Sequence, residues 1–527
     1  MNKERMKLPL GISDFLKLRE AGANYLYVDK TAQLAGLLGA GNYLFLARPR
    51  RFGKSLLCST MRCLYEGRRE LFAGLAIEPE WDWGKTNPVV HLSLTAMGSQ
   101  TVDLFVADIL AALQSRAEAE SISLRGVTPA SQFLALVEGL YEKTGRRVVV
   151  IVDEYEKPVH DHLGDPALAK QMRDVLASFY GALKGCDGAL EKVFITGIGR
   201  MVKTSIFSEL NQMIDLTLAP EAAEICGYTE DELYAGFAPY IDSLAERNGL
   251  TEAGAWQTLR DRYNGYWWGH GEKVYNPWAI LNCFRECQFG NYWWASGTPG
   301  ILVAMVEAMR RPDGDLDGVE AGDLSLLFDI TRPKAIPLFW QSGYLTIKEA
   351  SFPSFILGFP NAEVREAWYG MMLDRFMTEP GEMSGQTAAA VMLVALRTGD
   401  THRFERALKS LFAAIPGELH VPREAYYHSV FFAALSAVGA EIIPESRSDK
   451  GRLDAVLKTD AAIYVIEFKL GRAEDALAQI EAKRYYEPWL ADGRPIVLLG
   501  AGGFMEKEVK CLWKRVDEGP GGLWGRT

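Results

Sequence analysis

The sequence predicts an α/β fold in three parts: a parallel sheet wound with helices, a mainly helical middle, and a smaller α/β unit at the end. Three observations carry this. At 527 residues the chain exceeds what one ordinary core organises, so several domains are expected. Residues 1 to about 220 alternate short β-branched apolar runs with helical stretches, as buried parallel strands and their crossovers do. After about residue 420 the order changes to helix, two strands and helix. The expected domains are therefore 1–220, 221–420 and 421–527.

Composition narrows the class. Hydrophobic residues make up 48% and charged residues 24%, as in an ordinary globular protein. A net charge of -11 argues against a uniformly basic nucleic-acid coat, while leaving local basic patches open. Of the seven cysteines only Cys283 and Cys287 are close, and no second pair completes a zinc site, so buried free thiols in a reducing compartment are expected. MNKERMKLPL lacks the apolar core of a signal peptide, and the longest apolar run, FFAALSAVGAEII, is too short to span a bilayer. These features predict a cytoplasmic protein with no membrane partner.

The first strand, YLFLA (43–47), runs into LARPRRFGKSL (46–56). A phosphate-cradling loop reads G-x-x-x-x-G-K-[ST], and Gly53, Lys54 and Ser55 supply its second half. Arg48 stands where the first glycine belongs. It must avoid left-handed backbone angles, which cost a non-glycine residue roughly 1–2 kcal/mol, and Pro49 imposes an extended entry instead. With a helix starting at Lys54, backbone N–H groups from Arg51 through Phe52 to Ser55 would face phosphates, with Leu56 completing the loop. Lys54 would reach the β- and γ-phosphates of ATP and the Ser55 hydroxyl would ligate Mg²⁺.

VVHLSL (89–94) follows as a second strand. VVVIVDEYEKP (148–158) then sets Asp153 and Glu154 at the end of a buried strand, where Asp153 suits the metal-bound water and Glu154 the polarising of an attacking water. VFITG (193–197) places Thr196 at another strand end, where a hydroxyl can sense the γ-phosphate. Asp153 and Glu154 could simply cap the next helix. Three strand-end signals in the correct order favour a nucleotide site.

In the middle region, seven of the 13 tryptophans fall between 256 and 340. This clustering predicts an aromatic core and not a base-stacking surface. Asn276-Pro277 and Thr298-Pro299 each set a capping side chain before a proline at the first helical position.

At the C-terminal end VPREAYYHSVFFAALSAVG reads as a helix, RLDAVLK and AIYVIEFKLG as strands, and AEDALAQIEAKRYYE as a second helix. If 459–462 form a four-residue hairpin loop, Asp454 lies opposite Glu467 with β-carbons about 5 Å apart. Glu467 and Lys469, two apart, share a strand face. Two carboxylates and an ammonium can hold Mg²⁺, activate a water and stabilise a pentavalent phosphate. A surface hairpin with a Glu467–Lys469 ion pair is the plainer alternative, but charges in an apolar strand need a reason. Lys450, Arg452, Arg472, Lys483 and Arg484 could supply a local basic groove.

RPRRFGKSL, VDEYEKP, VYNPWAIL, TPGIL, QSGYLTIK and LGFPNAEVR, in this order, resemble the bacterial AAA-ATPase-like family whose members often carry a C-terminal nuclease-like domain. That family also has arginine and proline where the first glycine would be. GIGRM, after Thr196, departs from the family's small-polar-lysine pattern, which leaves a sensor or arginine-finger role for Arg200 unassigned. The C-terminal hairpin resembles the PD-(D/E)XK nuclease superfamily. On that resemblance Asp454 and Glu467 would be metal ligands, Lys469 would orient the water, Glu424 would be an outlying acidic residue, and Gln479 an accessory glutamine that Tyr485 joins. Glu424 and His428 suit a helix cap and a core histidine equally well. The implied fold is a P-loop NTPase parallel-sheet domain, a helical middle region and a restriction-endonuclease-like α/β domain. The implied function is ATP hydrolysis gating a Mg²⁺-dependent nuclease on DNA, in a homo-oligomer formed through the ATPase domain. Two other readings stand beside it: an ATP-driven switch that binds nucleic acid without cutting, and an interaction scaffold that keeps ATP for stability.

Overall fold

The computed structural model describes residues 5–162, 164–199, 212–294, 316–322, 324, 335–351, 354–376, 385–413, 424–448, 451–504 and 508–516. The chain forms two compact units, residues 1–305 with 316–361, and residues 306–315 with 362–527.

In the first unit β1 (Tyr43–Ala47), β2 (Val89–Ser93), β3 (Val148–Asp153), β4 (Leu190–Gly197) and β5 (Ile214–Asp215) form one sheet in the order β2-β3-β4-β1-β5. Every pairing is parallel. β1 and β3 are buried along their whole length, which is why both read as unbroken apolar runs. Parallel pairing brings the carboxyl ends of β1, β3 and β4 to one edge, where the loop after Ala47, Asp153 and Gly197 meet.

The crossover helices begin where the sequence marks them. Thr101 caps Val102–Ala119, Thr128 forms a capping box before Pro129–Thr144, and Asp165 caps Pro166–Gly185. The helix Lys54–Tyr65 starts directly at the loop.

The middle of the chain is mainly helical, with Glu230–Arg247, Glu252–Tyr263 and Pro277–Glu286. Asn276 caps the last of these, accepting from the Ala279 N–H at 3.0 Å. The second marked helix start, Thr298-Pro299, lies outside the described residues. A three-stranded antiparallel sheet also occurs here: β6 (Val319–Ala321), β7 (Thr346–Ser351) and β8 (Ser354–Gly358), in the order β6-β8-β7. Its strands are too short and mixed for periodicity to signal it. Trp256, Trp268, Trp293 and Trp340 are all buried.

The second unit carries a mixed sheet of β9 (Glu441–Ser448), β10 (Gly451–Lys458), β11 (Ile463–Phe468), β12 (Ile496–Gly502) and β13 (Lys510–Arg515), in the order β13-β12-β11-β10-β9. Only β11 and β12 pair in parallel, joined by the crossover helix Ala473–Lys483. β11 is buried on both faces. Tyr464, Ile466 and Phe468 face a core shared with Phe431 of the helix Glu424–Ala437, while Ile463 and Val465 face Ile480 of the crossover helix. Six of the seven cysteines are buried and all are free. Among the described residues no helix is long and apolar enough to cross a membrane.

Candidate active sites

The loop after β1 shows what replaces the missing glycine. Gly53 takes φ +94°, a left-handed angle that glycine adopts freely. The non-glycine residue with a left-handed angle is Arg51 (φ +67°), and Arg48 keeps an ordinary backbone. The Arg48 side chain is 1% exposed and donates to the carbonyls of Ala47 (2.7 Å), Thr217 (3.0 Å) and Ala222. Burial lowers its pKa to about 10. Arginine here is an anchor for the loop's entry.

Lys54 Nζ donates to the Arg48 and Pro49 carbonyls at 2.9 and 3.0 Å, so the ammonium sits inside the curl of the loop. Asp153, at the end of β3, is 3% exposed. Burial raises its pKa, and a hydrogen bond with Ser55 and the charge of Lys54 oppose that rise. Its Oδ1 has no hydrogen-bond partner among the described residues. A buried carboxylate oxygen without a partner, beside a serine hydroxyl, is a hard-oxygen donor set that fits Mg²⁺.

Residues far along the chain grip this loop. Phe52 packs edge-on against Tyr266 and Trp268 at ring distances of 4.7 and 5.7 Å. The Arg51 guanidinium lies 4.3 Å from the Trp278 ring, the Arg48 guanidinium 4.1 Å from the Trp268 ring, and Trp293 Nε1 donates to the Arg50 carbonyl at 3.2 Å. Each cation–π contact contributes about 0.5–2 kcal/mol. The tryptophans thus serve the loop as well as the core, a role their spacing alone did not signal. Leu56 shares a small cleft with Phe52 and Gly53.

Glu154 also adopts a left-handed angle (φ +53°), and its carboxylate accepts from Thr95 Oγ1 at 2.9 Å. Strain of this kind collects at functional positions. Thr196 is placed differently from the sensor expectation. It is fully buried and its hydroxyl donates to the Leu46 carbonyl at 2.7 Å, a geometry that ties β4 to β1. Arg200 lies outside the described residues.

Sequence reasoning passed over Glu156. This carboxyl is 3% exposed and accepts from the Ile198 N–H at 2.6 Å, just past the end of β4. Its neighbour Tyr155 donates to the Gly199 carbonyl at 2.9 Å. A Cβ at position 197 would fall 1.8 Å from Glu156 Oε2, so only glycine admits this approach. Burial raises the Glu156 pKa to about 7. Two consecutive side chains after Glu154 therefore fix the backbone that follows Thr196. Glu156→Ala should cost about 1–3 kcal/mol by orphaning the Ile198 amide, whereas Glu156→Gln keeps an acceptor and should stay near the parent. Denaturant unfolding checks this, and equal losses in both variants would refute it.

In the second unit β10 and β11 pair antiparallel, from Ala455 opposite Ile466 to Lys458 opposite Ile463. Thr459 closes the turn, its N–H bonding to the Ala462 carbonyl at 2.9 Å. One step beyond this ladder Asp454 and Glu467 come together. The Asp454 N–H reaches Glu467 Oε2 at 3.4 Å, and Asp454 Oδ2 accepts from the Phe468 N–H at 2.7 Å. Lys469 Nζ lies 3.3 Å from Glu467 Oε1, and Gln479 Nε2 donates to the same oxygen. Tyr485 is buried beside them: burial and the Glu467 charge raise its pKa, while a hydrogen bond with Gln479 lowers it. Glu424 opens the helix Glu424–Ala437, but its side chain lies outside the described residues, as do Lys450 and the side chain of Arg452. Arg472 and Arg484 are paired with Asp475 and Glu487 at 3.0 Å each.

Burial and the neighbouring Asp454 raise the Glu467 pKa to about 7. Converging carboxylates that repel each other fit a divalent cation. A proton on Glu467 competes with that cation, so Mg²⁺ affinity should climb by about tenfold per pH unit up to about pH 7, then level off. Without metal the sign is opposite. The folded state holds this proton more tightly than the unfolded chain, so the contribution to stability is full below the ordinary carboxylate range and is lost as pH rises through about 7. Glu467→Gln should remove both dependences, as metal titration and thermal unfolding across that range would reveal.

Comparison with known proteins covers both regions of the chain. Residues 9–207 match a family model described as a predicted AAA-ATPase, and residues 422–513 match one of the PD-(D/E)XK nuclease superfamily. The chain is 35% identical over 512 residues to a protein of Azotobacter chroococcum mcd 1 named "Uncharacterized protein in vnfD 5'region", covering 94% of this chain and 96% of that one.

Proposed function

Because the chain belongs to the family of predicted AAA-ATPases that end in a PD-(D/E)XK nuclease superfamily domain, we propose that it hydrolyses ATP and that nucleotide state gates a Mg²⁺-dependent nuclease acting on DNA phosphodiesters. In the first unit the N–H groups of 51–55 and Lys54 would hold the phosphates, Ser55 and Asp153 the magnesium, and Glu154 the attacking water. In the second unit Asp454 and Glu467 would bind the metal, which when bound supplies charge neutralisation and an acidified water. Lys469 and Gln479 fix the Glu467 carboxylate, and Lys469 carries the positive charge that can meet a phosphate oxygen. The observation that carries the reading is this convergence of Asp454, Lys469 and Gln479 on one buried carboxylate.

A second reading is a switch that binds nucleic acid without cutting it. Incubating the full chain with plasmid, linear and single-stranded DNA, with and without Mg²⁺ and ATP, separates the two. Mg²⁺-dependent cleavage altered by ATP supports gating; binding without cleavage under any divalent metal supports the switch.

A further inference from the structure

Glu154, read above as orienting the attacking water, sits in a left-handed backbone conformation at φ +53°. A glutamate stays there only where the flanking chain leaves it no easier course. Before it, Asp153 ends β3 opposite Ser93 of β2. After it, the chain is fastened to one short stretch. The Tyr155 N–H donates to the Thr196 carbonyl at 3.2 Å, the Tyr155 hydroxyl donates to the Gly199 carbonyl at 2.9 Å, and Glu156 accepts from the Ile198 N–H at 2.6 Å. Each bond ends at the close of β4 or just past it.

Packing makes the fastening stiff. Tyr155 is fully buried, with its ring edge-on to Phe45 at 5.5 Å. The Glu156 carbonyl accepts from the N–H groups of Val159 and His160 at 3.0 and 2.9 Å, so the same residue opens the short helix Lys157–His160. A Cβ at Gly197 would fall 2.6 Å from Glu156 Cδ and 2.8 Å from Tyr155 Cδ1, so both side chains lie directly against β4. None of these bonds involves the loop 51–55 or the Glu154 carboxylate, which accepts from Thr95.

We infer that Tyr155 and Glu156 are positioning residues for ATP hydrolysis, holding Glu154 in the strained conformation from which its carboxylate meets the attacking water. The inference rests on the ATPase reading. Released on this side, residue 154 would relax toward the right-handed region, and its carboxylate would swing away from Thr95. Affinity for ATP would not change, because the phosphates are held by other residues.

ATP titration and steady-state turnover, both below the unfolding transition of the full chain, test this. Misplacing a reacting group by about 1 Å can cost about a hundredfold, so Tyr155→Phe, Glu156→Ala and Gly197→Ala should each lower kcat by about ten- to a hundredfold. Kd for ATP should stay at the parent value in all of them. Glu156→Gln keeps an acceptor for the Ile198 amide and should hold kcat within about twofold of the parent. In a Glu154→Gln background Tyr155→Phe should cost nothing further, since its effect passes through the group already removed. Tyr155→Phe keeps the buried ring, so it carries the test should Glu156→Ala fail to fold. Additive losses with Glu154→Gln overturn the inference, as do equal losses in Glu156→Gln and Glu156→Ala, or ATP affinity falling in step with kcat. Parental turnover in every variant overturns this inference alone, whereas a parent that binds ATP without hydrolysing it overturns the ATPase reading as well.

Discussion

Lys54→Ala should weaken ATP binding by about a hundredfold or more. A charge-assisted hydrogen bond contributes about 1.5–3 kcal/mol, and Lys54 carries the positive charge nearest to where the phosphates would lie. Its two present acceptors are main-chain carbonyls of the loop itself, so on binding the ammonium exchanges neutral partners for charged ones. Glu154→Gln provides the contrast: binding retained, turnover slowed by about two orders of magnitude, because a carboxylate that positions water acts on the reaction and not on affinity. Nucleotide titration and phosphate-release kinetics on both variants give the answer. A Lys54→Ala protein that binds ATP like the parent cannot be using this loop as a phosphate cradle.

Lys469→Ala should lower Mg²⁺-dependent cleavage by about two to three orders of magnitude while leaving ATP binding unchanged. It is a cleaner test than Asp454→Ala. Lys469 is partly exposed, with 24% of its side chain accessible, and Glu467 keeps the Gln479 hydrogen bond, and can take up a proton, when the ammonium is lost. Asp454→Ala should abolish cleavage too, but it also strips the Phe468 amide of its acceptor and relieves the repulsion on Glu467. Thermal unfolding should therefore move in Asp454→Ala and barely in Lys469→Ala. Cleavage that persists in both would assign the activity to another site or another protein.

The strands of the first sheet were legible because burial on both faces writes a strand as a continuous apolar run, and β1, β3 and β4 are that kind. β5 was not, since it has only two residues. β12, wholly apolar and buried, carries the same signal but no neighbouring chemistry drew attention to it. β7 and β8 lie in the middle region and read as TIKEAS and SFILG, too mixed to separate from loop.

The opposition of Asp454 and Glu467 was readable because a hairpin's register follows from its turn. Glu156 was not. Its partner Ile198 follows β4, the strand beside β3, so the contact exists only once the sheet order is fixed. The Thr196 contact with Leu46 was hidden for a related reason: a strand-end position does not say whether a hydroxyl turns to solvent or to the neighbouring strand.

The grip on Phe52, Arg51 and Arg50 has a consequence for synthesis. The residues that hold this loop, Tyr266, Trp268, Trp278 and Trp293, leave the ribosome long after the loop does. At about 5–20 residues per second, the nascent chain waits about 10–50 s after β1 with this loop still unclasped. A ribosome-bound fragment ending shortly after β4 should already protect the sheet from protease yet leave the loop open to cleavage. Protection there should appear only when Trp293 has emerged, so the loop is finished by the middle of the chain and not by the segment that encodes it.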